Sequence, residues 1–264
     1  MSGGIPRRPN GSIVGANVIP TTTYPSTAYG IWDKNEQYSL NGIGYWPGLA
    51  GSIITYSFTS NYASATFFGT VLTGNPGSSG YYVGGTGGGY SITNNSQHVT
   101  ATAGVNGGNG SSAQAVSGYD YGGGGGGIGG SNSSAGSGAG GADFNGLWTA
   151  VTLGGYTGSS TFGAGTSGGL SVTIQDGHFA GGGGGGVQPG YHTGTGGNAA
   201  VVIQCGDSYA TVINQSSGAG SFTCPGGSTY VKIWCIGRGA NGSTYVSFPG
   251  GGGGAGGMAY ARFD

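Results

Sequence analysis

The sequence predicts an all-β chain, sandwich-like in its strands, with a glycine-rich region set between them. Three observations carry that prediction. Short runs rich in β-branched and aromatic residues recur between Gly, Pro and Asn. A single segment, Ile31–Leu40, has a helical pattern. Glycine fills 69 of 264 positions, about a quarter of the chain against a usual share of ~7%, and it is gathered into runs.

Four stretches follow in order. Residues 1–50 are rich in Pro and Thr; within them Ile31, Trp32, Tyr38 and Leu40 are apolar, and Asp33, Lys34, Asn35 and Glu36 are polar. So short an amphipathic helix is marginal alone in water, so it is expected to dock, either on its own domain or on a partner as an attachment segment. Residues 51–118 read as a β domain, with strands expected at Ser52–Phe58 and Ala65–Leu72. Residues 119–200 form the glycine-rich display region, where Leu170–Ile174 alternates like a strand with one wet face. Residues 201–264 read as a C-terminal glycine-rich β domain with strands at Ala199–Gln204, Tyr209–Ile213, Tyr230–Ile236 and Met258–Phe263. Tyr230–Ile236 is apolar on both faces except at Lys232, so both faces are expected to be covered. Cys205, Cys224 and Cys235 lack metal-ligand spacing and read as small buried hydrophobes, with one disulfide among them left open.

Gly122–Gly127, Gly181–Gly186 and Gly250–Gly254 each follow an aromatic closely and lead to an apolar residue, at Ile128, Val187 or Met258. A flexible linker would not need those bookends. Glycine loses the most entropy on ordering, so an ordered region must recover that cost. Stacked polyproline-II-type helices are one solution, because without Cβ atoms they approach closely enough for interchain hydrogen bonds. The other is a set of tight turns requiring positive φ. Both remain open at this point.

Composition excludes several functions. The chain has six Lys and Arg, seven Asp and Glu, and a net charge of −1, yet it holds 17 Tyr, 9 Phe and 4 Trp. That aromatic load argues for order. Six scattered cations cannot build a phosphate-neutralising patch. No run of about 20 apolar residues predicts a membrane helix, and the N-terminus has no secretory h-region. The acids are scattered and no nucleophile–base pair stands out, so no enzyme, metal or cofactor is expected. The glycine runs lack the Gly-Lys-Ser/Thr of a phosphate loop. The positive signal is aromatics set in uncharged, glycine-rich loops, a composition suited to recognition at low entropic cost.

Two segments resemble a known group. Gly30-Ile31-Trp32-Asp33-Lys34-Asn35-Glu36-Gln37-Tyr38, followed by Trp46-Pro47-Gly48, resembles a segment recurrent in tail-fibre and related virion proteins of tailed bacteriophages. Ser221-Phe222-Thr223-Cys224-Pro225-Gly226-Gly227, with Val231-Lys232-Ile233-Trp234 and Pro249 through Tyr260, resembles the glycine-rich domain at the ends of such fibres. Where that domain runs on in glycines after the Trp, this chain has Gly237-Arg238-Gly239-Ala240-Asn241-Gly242. Residues 119–200 are similar in texture to T-even phage tail-fibre tip adhesins.

The resemblance implies a viral, extracellular structural protein of the virion that attaches to a host-surface glycan or outer-membrane protein. Its implied partners are other virion proteins and a bacterial receptor, without nucleic acid or membrane insertion. A homo-oligomer is expected, since several copies turn weak contacts into avidity. Trp32, Glu36, Gln37, Tyr38 and Trp46 would then serve attachment to a virion partner. Trp148, Phe144, Tyr156, Tyr191, His192, Tyr121, Tyr81 and Tyr82 are the candidate receptor-binding residues. The rival readings are a purely structural virion or filament subunit packing through glycine-rich faces, an ice-binding protein, and a depolymerase.

Overall fold

The computed structural model describes residues 49, 51–59, 61–96, 98–116, 119–121, 123–134, 137–155, 162–168, 176–186, 193–215, 217–244 and 249–264. Ile31–Leu40 and Leu170–Ile174 lie outside the described residues. Two five-stranded antiparallel sheets make up most of the regular structure, so the chain is all-β. The first sheet runs β10-β1-β2-β3-β4, from β1 (Ile53–Thr59), β2 (Tyr62–Phe67), β3 (Thr70–Gly74), β4 (Tyr90–Thr93) and β10 (Gly218–Thr223). The second runs β5-β12-β11-β8-β9, from β5 (Val99–Val105), β8 (Ala200–Cys205), β9 (Tyr209–Ile213), β11 (Val231–Ile236) and β12 (Met258–Phe263). A short ribbon pairs β6 (Gln114–Val116) with β7 (Tyr119–Tyr121).

Alternation decides how the sheets stack. Ile54 and Phe58 of β1, Ala63, Ala65 and Phe67 of β2 and Leu72 of β3 point inward. They meet Val201, Ile203, Val231, Ile233, Ala261 and Phe263 of the second sheet in one core. The opposite parity of that sheet, Val202, Trp234, Ile236, Met258 and Tyr260, meets a second core built from Ile128 and the helix α1 (Leu147–Leu153). The strands β8, β11 and β12 are therefore covered on both faces, as the apolar run around β11 requires; Lys232 is the only residue of β11 short of full burial. Each such Val, Ile or Phe contributes about 1.5–3 kcal/mol by leaving water.

Three sequence expectations need correction. Ala65–Leu72 is not one strand: it turns back at Phe68 (φ 46°) and Gly69 (φ 80°), pairing Phe67 with Thr70. Positive φ at both turn positions matches the twist of a two-residue hairpin. The β domains expected at 51–118 and 201–264 are one sandwich, because β10 pairs with β1 and β12 with β5. Lastly, α1 exists: Leu147, Ala150 and Val151 bury one face, and the Asp143 carboxylate accepts the Trp148 N–H at 2.8 Å in its first turn. The three cysteines are buried free thiols in the described residues, as expected. Cys224 hydrogen bonds to Cys205, and that bond first, burial second, holds its thiol well above the ordinary range.

The glycine runs form a helical bundle continuous with the sandwich. Along Gly250–Gly257 the backbone N–H groups visit three neighbours in rotation: 251, 254 and 257 donate to 81, 78 and 75; 252 and 255 to 111 and 108; 253 and 256 to 184 and 181. Its carbonyls rotate likewise, 250 and 253 accepting from 123 and 126, 252 and 255 from 85 and 88, and 251, 254 and 257 from 243, 240 and 237. These bonds are 2.6–3.1 Å long. A step of three throughout is the period of the polyproline-II helix, which satisfies its backbone only through neighbours. Six segments thus surround one central helix, and the three longest glycine runs touch each other directly: Gly126 N–H to Gly253, Gly253 N–H to Gly184, Gly183 N–H to Gly126.

The sequence shows no strict three-residue repeat because inner and outer helices need different things. The central helix is in contact all round: a Cβ on Gly252 would lie 2.0 Å from the Gly124 carbonyl oxygen. Ala255 is tolerated because its methyl enters the second core. Outer helices have a solvent face, where Thr86, Asn109 and Asn132 stand exposed. Even these side chains brace the array: Asn109 Oδ1 accepts the Gly87 N–H, and Asn132 Oδ1 accepts the Asn109 N–H.

Candidate functional site

One end of the bundle joins the strands, since β3 runs into Asn75, β11 into Gly237, and Gly257 into β12. At about 3.1 Å per residue the other end stands roughly 20 Å away. Chain turns collect there. Tyr81, Tyr82 and Val83 link two outer helices, and their relative exposures of 77%, 50% and 62% mark the strongest apolar projection among the described residues. Their backbone is held firmly. The Tyr81 carbonyl accepts from Gly251 N–H at 2.6 Å and from Ser243 Oγ at 2.5 Å, and the Tyr82 carbonyl accepts from Ala113 N–H at 3.1 Å. Gly80 makes the turn possible, since a Cβ there would meet the Val83 oxygen at 2.0 Å. A fixed backbone presenting aromatic surface loses little entropy when it binds.

The other candidate residues divide by position. Tyr121, whose backbone closes the β6–β7 ribbon against Gln114, precedes the far end of its glycine helix at Gly123. Gly186 and Gly194, which flank Tyr191 and His192, also bond at that end, although Tyr191 and His192 themselves lie outside the described residues. Tyr156, Trp32, Glu36, Gln37, Tyr38 and Trp46 lie outside them as well. Phe144 and Trp148 sit at the sheet end. Phe144 packs edge-on to Tyr260 at 6.4 Å, and its carbonyl accepts the Trp234 Nε1–H at 2.9 Å. Trp148 is half-buried on α1, with its indole N–H enclosed and without a hydrogen-bond partner. The structure therefore groups Tyr81 and Tyr82 with the flanks of Tyr191, and leaves Phe144 and Trp148 apart in a packing role. Sequence reasoning passed over Val83, whose signal was its place directly after two tyrosines between glycine runs.

Several ionisable groups are engaged elsewhere in structural tasks. Asp176 Oδ1 accepts both the N–H and the hydroxyl of Thr195 at 2.7 Å, clasping two segments. Tyr230 lies between Lys232 Nζ (5.3 Å) and the Arg262 guanidinium (4.8 Å), and its hydroxyl donates to Asp207 at 2.5 Å. Burial first, then the Asp207 hydrogen bond, pushes the Tyr230 hydroxyl up to about 12. Arg262 grips Asp264 through two nitrogens, which holds that carboxyl below its usual range. Among the described residues no group of three or more His, Cys, Asp or Glu is placed to hold a metal ion. No protein-family model, curated protein or solved structure matches the chain, so the functional reading rests on these residues.

Proposed function

We propose that the protein is a tail-fibre or related virion surface protein that attaches non-covalently to a host-surface glycan or outer-membrane protein. The observation that supports this best is the rigid, exposed Tyr81-Tyr82-Val83 turn at the far end of the glycine bundle. Aromatic faces stack on sugar rings and fill protein pockets with little loss of rotamer freedom. The exposed hydroxyls of Ser79, two residues before Tyr81, and of Ser112, next to Ala113 on the Tyr82 carbonyl, add neutral hydrogen bonding without a charge to repel a partner. The glycine helices act as a stiff stalk, since their backbones are bonded to one another along the bundle and, apart from the buried Ala255, the axis carries no side chain. Copies of a weak site on one particle would bind by avidity.

The test is binding of the labelled chain to intact bacterial cells and to an array of envelope glycans, comparing wild type with Tyr81→Ala/Tyr82→Ala. Attachment predicts at least a tenfold loss of binding with an unchanged unfolding midpoint. Binding that survives the double substitution would defeat the assignment to this turn. A wild-type chain that binds no envelope component but assembles through these tyrosines, read by light scattering, would replace attachment with subunit packing.

A further inference from the structure

We infer that Arg238 anchors a binding site for a carboxylate-bearing sugar, set in a groove on the side of the bundle. Two outer helices, 75–81 and 237–243, run parallel there: the Gly77 N–H donates to the Arg238 carbonyl at 3.0 Å, and Ser79 Oγ donates to the Asn241 carbonyl at 2.7 Å. The three-residue period then places Pro76 and Ser79 side by side on one wall and Arg238 and Asn241 on the other. Between them lies a cavity of about 190 Å³, lined also by Gly77, Gly239 and Asn61. Arg238 is thus a side chain at the outward position of a glycine helix, where the third face is free to display one.

The guanidinium is under-partnered. Of its five donors, Nη1 gives a long hydrogen bond to Asn61 Oδ1 at 3.3 Å, and Nε is shut off from solvent with no partner. No carboxylate pairs with it among the described residues, whereas Arg262 has Asp264. A half-buried cation lacking its anion is costly, and a carboxylate meeting the Nη edge would supply the charge-assisted, two-pronged contact a guanidinium favours. The remaining lining, Ser79, Asn61 and Asn241, is neutral and polar, with Asn241 Oδ1 already accepting the Gly196 N–H at 3.0 Å, which suits sugar hydroxyls better than a second charge. Gly77 lies four residues, or about 12 Å at 3.1 Å each, below Tyr81, so a glycan two or three sugars long would reach from the groove to the aromatic turn. For the source of that sugar, a host envelope, the inference rests on the attachment reading; the site chemistry stands on the groove alone.

The chain has four arginines, Arg7, Arg8, Arg238 and Arg262, so the Nε–Hε resonance of Arg238 can be assigned by comparison with Arg238→Gln. The full chain is titrated at fixed ionic strength with methyl glucuronide, methyl glucoside and inorganic phosphate. The expected result is a saturable shift of the Arg238 resonance with the glucuronide, and backbone shifts at Ser79 and Asn241 that Arg238→Gln weakens at least tenfold in apparent affinity. The glucoside should produce neither. No saturable shift with the glucuronide, an equal response to the glucoside, or a response to phosphate alone would each overturn the inference. If the variant folds poorly, the wild-type backbone shifts at Ser79 and Asn241, present with the glucuronide and absent with the glucoside and phosphate, decide the matter. Loss of this site with intact, Tyr81-dependent cell binding would leave the attachment reading standing, and glucuronide binding without cell binding would do the reverse.

Discussion

Replacing Gly253 by Ala adds one methyl group at the centre of the bundle. An ideal Cβ there lies 2.1 Å from the Ala240 carbonyl oxygen and 2.7 Å from that of Asn241, whereas ordinary contact begins at 3.4 Å. The helix at 237–243 would have to retreat by about 1.3 Å, the difference between those two distances. That retreat stretches the Ala240 N–H bond to Gly254 (2.8 Å) and the Gly184 N–H bond to Ala240 (2.9 Å) beyond useful length. Each buried group left unpaired costs about 1–3 kcal/mol, so the two together cost about 2–6 kcal/mol. The loss of unfolded-chain entropy on Gly→Ala returns only about 0.4–1 kcal/mol. Against a total of about 5–15 kcal/mol for an ordinary domain this is severe. Gly226→Ala is the control: nothing lies within 4 Å of its Cβ and its backbone is not left-handed. Urea unfolding read by tryptophan fluorescence, with Trp234 fully buried as reporter, should separate the variants widely. A Gly253→Ala chain as stable as Gly226→Ala would refute the close-packed bundle.

Two further outcomes can be checked in the same preparation. Tyr230 holds its proton in the folded state up to about 12, above the ~10 of an unfolded tyrosine. Its contribution should therefore be complete below about pH 10 and fade between pH 10 and 12; the gap between wild-type and Tyr230→Phe unfolding midpoints should narrow over that window, and a constant gap would contradict it. Burial pushes the Cys235 thiol up, and its hydrogen bond to Cys205 does the same for Cys224, so a thiol-specific reagent at pH 8 should leave both unmodified until urea is added. Rapid native labelling of Cys235, resolved by peptide mass spectrometry, would contradict its burial.

The strands that could be read from sequence were those where packing and propensity agree. Tyr209–Ile213 and Met258–Phe263 are found at the expected bounds: the first lies between Gly206-Asp207-Ser208 and Asn214, and the second begins where the glycine run stops. The strand β10, Gly-Ala-Gly-Ser-Phe-Thr, carries almost no such signal and is held by its register against β1. Leu147–Leu153 was missed because seven residues with Thr and Val are poor helix formers, and the second core overrides their preference. At the site, the exposed tyrosines were legible as aromatics in uncharged loops. The removal of Phe144 and Trp148 to the sheet end was not, because it depends on which core each loop reaches, a property of topology. Arg238 went unread for a similar reason: only the pairing of two distant glycine helices gives it a groove.

Gly250–Gly257 is the axis of the bundle, yet every segment bonded to it, from Asn75 to Ser243, comes earlier in the chain. During synthesis, the outer helices would leave the ribosome with their inward N–H and C=O groups answered only by water. Only the segment 237–243 is close to the axis in sequence, with Ser243 and Gly251 eight residues apart; the pairings to 75–88 and 108–126 each span more than a hundred residues, and such long-range closure is slow. The stalk should therefore form as a late, cooperative event when the axis arrives, in the same step that adds β12 between β5 and β11 in the second sheet.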